Sequence, residues 1–176
     1  SENECDAIYV GLLSENDAEH EKDLDVLREI CQNTAVPVIG SGHIFRMEDV
    51  KKLLYAGCQQ VMLDYADPVQ LELTKEVSLK FGKEKIAAGV ADISLLEQEK
   101  ELLKEYTSNV FLFCPGATAE AALMSPVSVV TFLPEVSLEK LIEVLSYANI
   151  SGISGKLVNE NITEISAIKA LCRENK

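Results

Sequence analysis

Two stretches of this chain repeat one another without a gap. Val36–Leu63, VPVIGSGHIFRMEDVKKLLYAGCQQVML, aligns with Val127–Ser154, VSVVTFLPEVSLEKLIEVLSYANISGIS, so that Val36 falls on Val127, Val38 on Val129, Glu48 on Glu139 and Leu54 on Leu145. In the first copy an apolar, β-prone run from Val36 to Ile39 meets Gly40-Ser41-Gly42. Met47, Val50, Leu53 and Leu54 then recur at helical spacing, Gly57 stops the helix, and Val61-Met62-Leu63 reads as a second strand. Strand, glycine loop, helix and strand in that order make a right-handed crossover between parallel neighbours. Its return in register predicts a barrel built from two related halves.

The remaining periodicity fits that reading. Strands are predicted over Ala7–Leu12, Val36–Ile39, Gln60–Leu63, Lys85–Val90, Asn109–Phe113, Val127–Phe132 and Ile150–Ser154. Helices are predicted over Glu19–Cys31, Met47–Ala56, Val69–Phe81, Leu95–Glu105, Leu138–Tyr147 and Ile162–Arg173. Such alternation with short turns argues for α/β architecture and a parallel sheet. None of the five prolines interrupts a helical pattern. Seven strands are one fewer than a closed (βα)8 barrel holds. If the second half begins near Lys85, the first half lacks a unit, and Ser1 to Asp6 reads as the tail of a first helix. The expectation is one domain over residues 1–176, a barrel without its first βα unit, either a fragment or an open incomplete barrel. A doubly wound open sheet is the alternative.

With 47% hydrophobic residues the chain can bury a sizeable core. No apolar run approaches the roughly 20 residues of a membrane span, and the acidic opening Ser1-Glu2-Asn3-Glu4-Cys5-Asp6 is not a signal peptide. The net charge of −13 repels phosphate backbones, so nucleic acid is not an expected partner. Five scattered cysteines without a CxxC spacing favour a reducing cytoplasm and inert thiols over disulfides or zinc.

In barrels the chemistry sits at the C-terminal strand ends. Gly40, Ser41 and Gly42 offer backbone N–H groups to an anion, with the positive end of the next helix aimed at the same place; a plain tight turn is the alternative. Ser154, Gly155 and Lys156 offer a second place where a phosphate can rest. Asp64 and Asp92 are candidate bases, Asp92 reading more readily as a helix cap. Cys114 lacks an activating neighbour and reads as a buried thiol. Of the two histidines, His20 falls in a charged helix opening and is expected to be solvated, whereas His43 can reach a ligand from its loop. Neither has the neighbours a metal site needs, and no cofactor motif stands out.

These residues resemble those of the histidine-biosynthesis barrels, the phosphoribosylformimino-carboxamide ribotide isomerase and its cyclase relative, over nearly the whole chain from Asp6 onward. VPVIGSGHIFRMEDVKKLLYAGCQQVML is similar to the family's third to fourth strand, and VSLEKLIEVLSYANISGISGKLV to its seventh helix and eighth strand. The resemblance implies a TIM-type (βα)8 fold of the ribulose-phosphate-binding type, with one phosphate site in each half for a substrate phosphorylated at both ends. It also exposes departures. The strand that carries the family's first catalytic aspartate has no counterpart, and the second aspartate aligns with Ala91, Asp92 lying one place late. Leu12 stands where an aspartate is expected after the second strand. Leu133-Pro134 replaces paired glycines that receive a phosphate, and Leu63-Asp64 puts a carboxylate beside the other cradle.

DAIYV, NDAEHEKDLDVLREIC, RMEDVKKLLYAGC and LTKEVSLKFGKEKIA further resemble the barrel-like N-terminal region of bacterial fused enzymes. There it precedes phosphoribosyl-AMP cyclohydrolase and phosphoribosyl-ATP pyrophosphohydrolase domains. The expectation is a degenerate barrel without catalytic residues of its own, structural or holding a vestigial phosphoribosyl ligand, its hydrolase partners fused in the same polypeptide. An N-terminally truncated isomerase and a phosphate sensor are the alternatives, and an exposed sheet edge predicts homodimerisation or pairing with another segment.

Overall fold

The computed structural model describes residues 5–134, 137–155 and 165–174. Among them strands β1 (Ile8–Gly11), β2 (Val38–Ser41), β3 (Gln60–Asp64), β4 (Ile86–Val90), β5 (Asn109–Leu112), β6 (Ser128–Phe132) and β7 (Ile150–Ser154) form one sheet. Its order is β1-β2-β3-β4-β5-β6-β7 and every pairing is parallel. The helices between them are α1 (Asp17–Asn33), α2 (Met47–Ala56), α3 (Pro68–Phe81), α4 (Leu95–Gln98), α5 (Lys100–Tyr106), α6 (Thr118–Met124) and α7 (Leu138–Ser146), with α8 (Ile165–Glu174) after β7.

Local chemistry sets the helix ends. Asn16 caps α1 by accepting from the Glu19 amide at 3.0 Å, and Asp67 caps α3 by accepting from Val69 at 2.9 Å just before Pro68. Ser137 caps α7 through the Lys140 amide at 3.2 Å. Helix α2 begins at Met47 and α7 at Leu138, positions that the sequence alignment pairs.

Two apolar layers hold the fold. The outer one lies between sheet and helices and contains Leu24 and Leu27 of α1, Val50 and Leu53 of α2, Val77 of α3, Leu96 of α4 and Leu103 of α5. The inner one joins Ile39, Met62, Ala87 and Phe111, with Phe113 and Val130 against it. Burial on both faces makes β2 and β4 continuously buried, as in parallel sheets covered on both sides. The inner layer reports curvature: the Tyr9 ring on β1 lies 6.1 Å from that of Phe111 on β5, four strands away, and 6.3 Å from Phe113. The seven strands therefore curl into an α/β barrel one unit short of eight, and not into an open doubly wound sheet. Outside, Lys169 of α8 donates to Asp6 at 2.8 Å, tying the helix after the last strand to the lead into the first.

Element existence and order follow the sequence reading, and the differences are local. β2 continues through Gly40 and Ser41, which a loop reading had excluded, because Gly40 pairs with both Val10 and Val61 in the ladder. The single helix expected over Leu95–Glu105 is broken at Glu99 into α4 and α5. Part of the helix expected from Ile162 lies outside the described residues. None of the described helices is long and apolar enough to cross a membrane.

Candidate functional site

The strand ends open on a pocket of about 350 Å³ whose wall includes Tyr9, Ser41, Gly42, Asp64, Gln70 and Phe113. It lies where a barrel places its chemistry. Its polar groups largely satisfy one another. The Ser41 and Tyr9 hydroxyls are hydrogen-bonded at 2.7 Å. The Asp64 carboxylate accepts from the Ala66 amide at 2.9 Å, while the Asp64 amide donates to the Gln70 side-chain oxygen at 3.0 Å. Gln70 in turn donates to Asp67 at 3.1 Å.

Of the first glycine loop, Gly40 belongs to the strand; a Cβ there would come 2.7 Å from the Cys58 sulfur, so its smallness serves packing behind the sheet. Ser41 and Gly42 reach the pocket. Gly42 has φ +93°, and a Cβ would lie 2.1 Å from the Leu12 carbonyl oxygen, while Leu12 donates its amide to the Ser41 carbonyl at 2.8 Å. The loops after β1 and β2 are thus in backbone contact. The positive end of α2 is answered from within the helix. Buried Asp49 accepts from the Phe45 amide at 3.1 Å and lies 3.5 Å from the Arg46 guanidinium.

The second half-site repeats this close approach. Gly155 is buried, with a hypothetical Cβ 1.9 Å from the Leu133 carbonyl oxygen, and Leu133 donates its amide to Ser154 at 2.8 Å. The Leu133 side chain is itself core. Lys156 lies outside the described residues.

Among the described residues Asp64 is the one acid lining the pocket, and Ala91, just after the neighbouring strand β4, lines it without a carboxylate. Asp92 accepts from the Ser94 amide at 2.9 Å, an interaction that holds its carboxyl below the usual carboxylate range. It closes a turn ahead of α4 instead of entering the pocket. Cys114 is half-buried, not fully buried as the sequence reading had it.

The largest correction concerns His20. Expected in solvent, it is 1% exposed, because it sits with Leu24 and Leu27 at i, i+4 and i+7 on the buried face of α1. That spacing was legible in the sequence, but the surrounding charges masked it. Its ring stacks on His43 at 4.4 Å. Tyr9, also passed over, was marked by its place in the β1 alternation.

A parallel strand–helix sheet curled on its own inner layer, with an open mouth at the carboxyl ends of its strands, defines the α/β barrel class. Residues 1–112 match the family described as histidine biosynthesis protein. The chain belongs to that family.

Proposed function

We propose that this chain is a histidine-biosynthesis barrel that has lost isomerase chemistry and acts as a structural or ligand-holding domain. The observation that carries the reading is that, among the described residues, the pocket wall holds one acid, Asp64, and that Ala91 lines it after β4 without a carboxylate. Moving protons between substrate atoms takes an acid and a base at separate positions around the substrate. The buried Leu133 and the buried carboxylate of Asp49 in the first turn of α2 support the same conclusion, since an apolar side chain and a negative charge both disfavour an anion beside them. In this reading cyclohydrolase and pyrophosphohydrolase activities belong to domains fused in the same polypeptide. An isomerase assay on the purified chain with the aminoimidazole carboxamide ribotide substrate tests it. The expected result is no turnover above background, and sustained turnover overturns the proposal.

A retained ligand role is favoured by Ser41 and Gly42 at an open pocket of about 350 Å³, large enough for one sugar phosphate. Calorimetric titration with ribose 5-phosphate separates the two roles: saturable heat assigns ligand holding, and its absence leaves the structural role alone.

A further inference from the structure

Among the described residues His20, like Tyr65, is an anomalous buried polar side chain. It is 1% exposed, and both ring nitrogens lack a hydrogen-bond partner. A buried polar group without a partner is destabilising, so an apolar residue would serve this position better if packing were its whole role. Its ring instead lies against that of His43, centroids 4.4 Å apart and planes 27° from parallel.

His43 is held from every side. One ring nitrogen is 3.0 Å from the Asp17 carboxylate and the other 3.3 Å from the Ser14 carbonyl, both acceptors. Phe45 meets it edge-on at 4.9 Å. Its backbone is in the left-handed region, φ +52°, directly after Gly42 at φ +93°. A non-glycine residue keeps that conformation only where its surroundings enforce it. The ring contacts of His43 act there beside the burial of Ile44 in the core, and Gly42, its chain neighbour, forms part of the pocket wall.

We infer that the His20–His43 stack is a proton-operated latch on the glycine loop: uptake of a proton by buried His20 breaks the stack and frees Gly42–Phe45 from the mouth of the barrel. The asymmetry of the pair sets the order of events. His43 faces two acceptors and can carry an N–H on each side, whereas His20 has no acceptor for an added proton. A charge on His20 would therefore be buried, unpaired and pressed against its partner ring, and separation relieves all three conditions.

The charged groups around His20 do not reverse this. His43 opposes its charging from the loop, as does Lys52 from α2; Asp49 of α2 and Glu21 of α1 favour it. Lys52 and Glu21 are engaged with one another at 2.5 Å, and Asp49 is engaged by the Phe45 amide and Arg46. Burial dominates and holds His20 below its ordinary value of 6.5. The folded chain then binds fewer protons than the unfolded chain between that depressed value and 6.5. The closed latch keeps its full stability above pH 6.5 and loses it as the pH falls toward the folded-state value.

Amide hydrogen exchange of the intact chain between pH 7.5 and 5, corrected for intrinsic rates, is the test. Peptides covering residues 41–46 are expected to lose protection about tenfold on acidification, while β4 and β5 stay protected. His20→Phe keeps a ring in the stack and removes the titrating nitrogens, and it is expected to abolish the transition. A wild-type loop with constant protection, or a His20→Phe protein with an unchanged transition, overturns the inference. If His20→Phe does not fold, imidazole nitrogen shifts of the wild-type chain decide. His20 must titrate below 6.5 with the same midpoint as the Gly42 and His43 amides. Separate midpoints overturn the latch.

Discussion

Replacing Gly42 by alanine tests whether the glycine loops serve the contact between neighbouring strand ends independently of any ligand. The new methyl would lie 2.1 Å from the Leu12 carbonyl oxygen, 2.9 Å from its carbon and 3.0 Å from the Leu12 nitrogen, all backbone atoms that cannot swing aside. The left-handed backbone at φ +93° adds about 1–2 kcal/mol for any L side chain, and relieving an overpacked contact costs about 1–3 kcal/mol. Separating the two loops would also strain the 2.8 Å hydrogen bond from Leu12 to Ser41. The two ranges together span about 2–5 kcal/mol, within which about 3 kcal/mol is the expected loss. Urea unfolding of the apo chain reads it as a midpoint lowered by about 1.5 M, for a slope near 2 kcal/mol/M. Gly116→Ala is the control, since nothing lies within 4 Å of a Cβ there, and it is expected to stay within about 0.5 kcal/mol of wild type. A Gly42→Ala protein less than about 1 kcal/mol below wild type would refute the steric argument.

Two further outcomes are expected. Burial first, and the neighbouring Cys31 second, push the Cys58 thiol up to about 12, so Cys58 should resist iodoacetamide at pH 8 in the folded chain and react fully in urea; rapid labelling of the folded protein would contradict that environment. Asp64→Asn removes the one acid that the described residues place in the pocket wall and should tighten ribose 5-phosphate binding by about fivefold at low salt, an effect that disappears at high salt. Unchanged calorimetric affinity would place the phosphate elsewhere.

The readings that held are those in which spacing carries the physics. Apolar residues at helical period, bounded by Gly57, report which face of α2 is buried. The break at Glu99 escaped because Leu96 and Leu103, both fully buried, remain in phase across it; a one-residue interruption leaves no trace in periodicity. His20 escaped for the opposite reason: its apolar partners Leu24 and Leu27 were in phase, but Asp17, Glu19, Glu21 and Asp23 around it suggested solvent.

At the candidate site the residue types were readable and their commitments were not. Which hydroxyl Ser41 meets, whether Asp49 turns back to the Phe45 amide, and how closely Gly155 approaches Leu133 all depend on segments distant in sequence or on side-chain direction. By itself the sequence determined the alternation of strands and helices and their parallel order, because these follow from local apolar period and turn chemistry. Tertiary structure alone decided that Tyr9 meets Phe111 across four strands, that two histidines stack behind the glycine loop, and that Asp64 lines the mouth while Asp92 does not. Those contacts arise from sheet curvature, a sum of small twists over every strand that no single segment encodes.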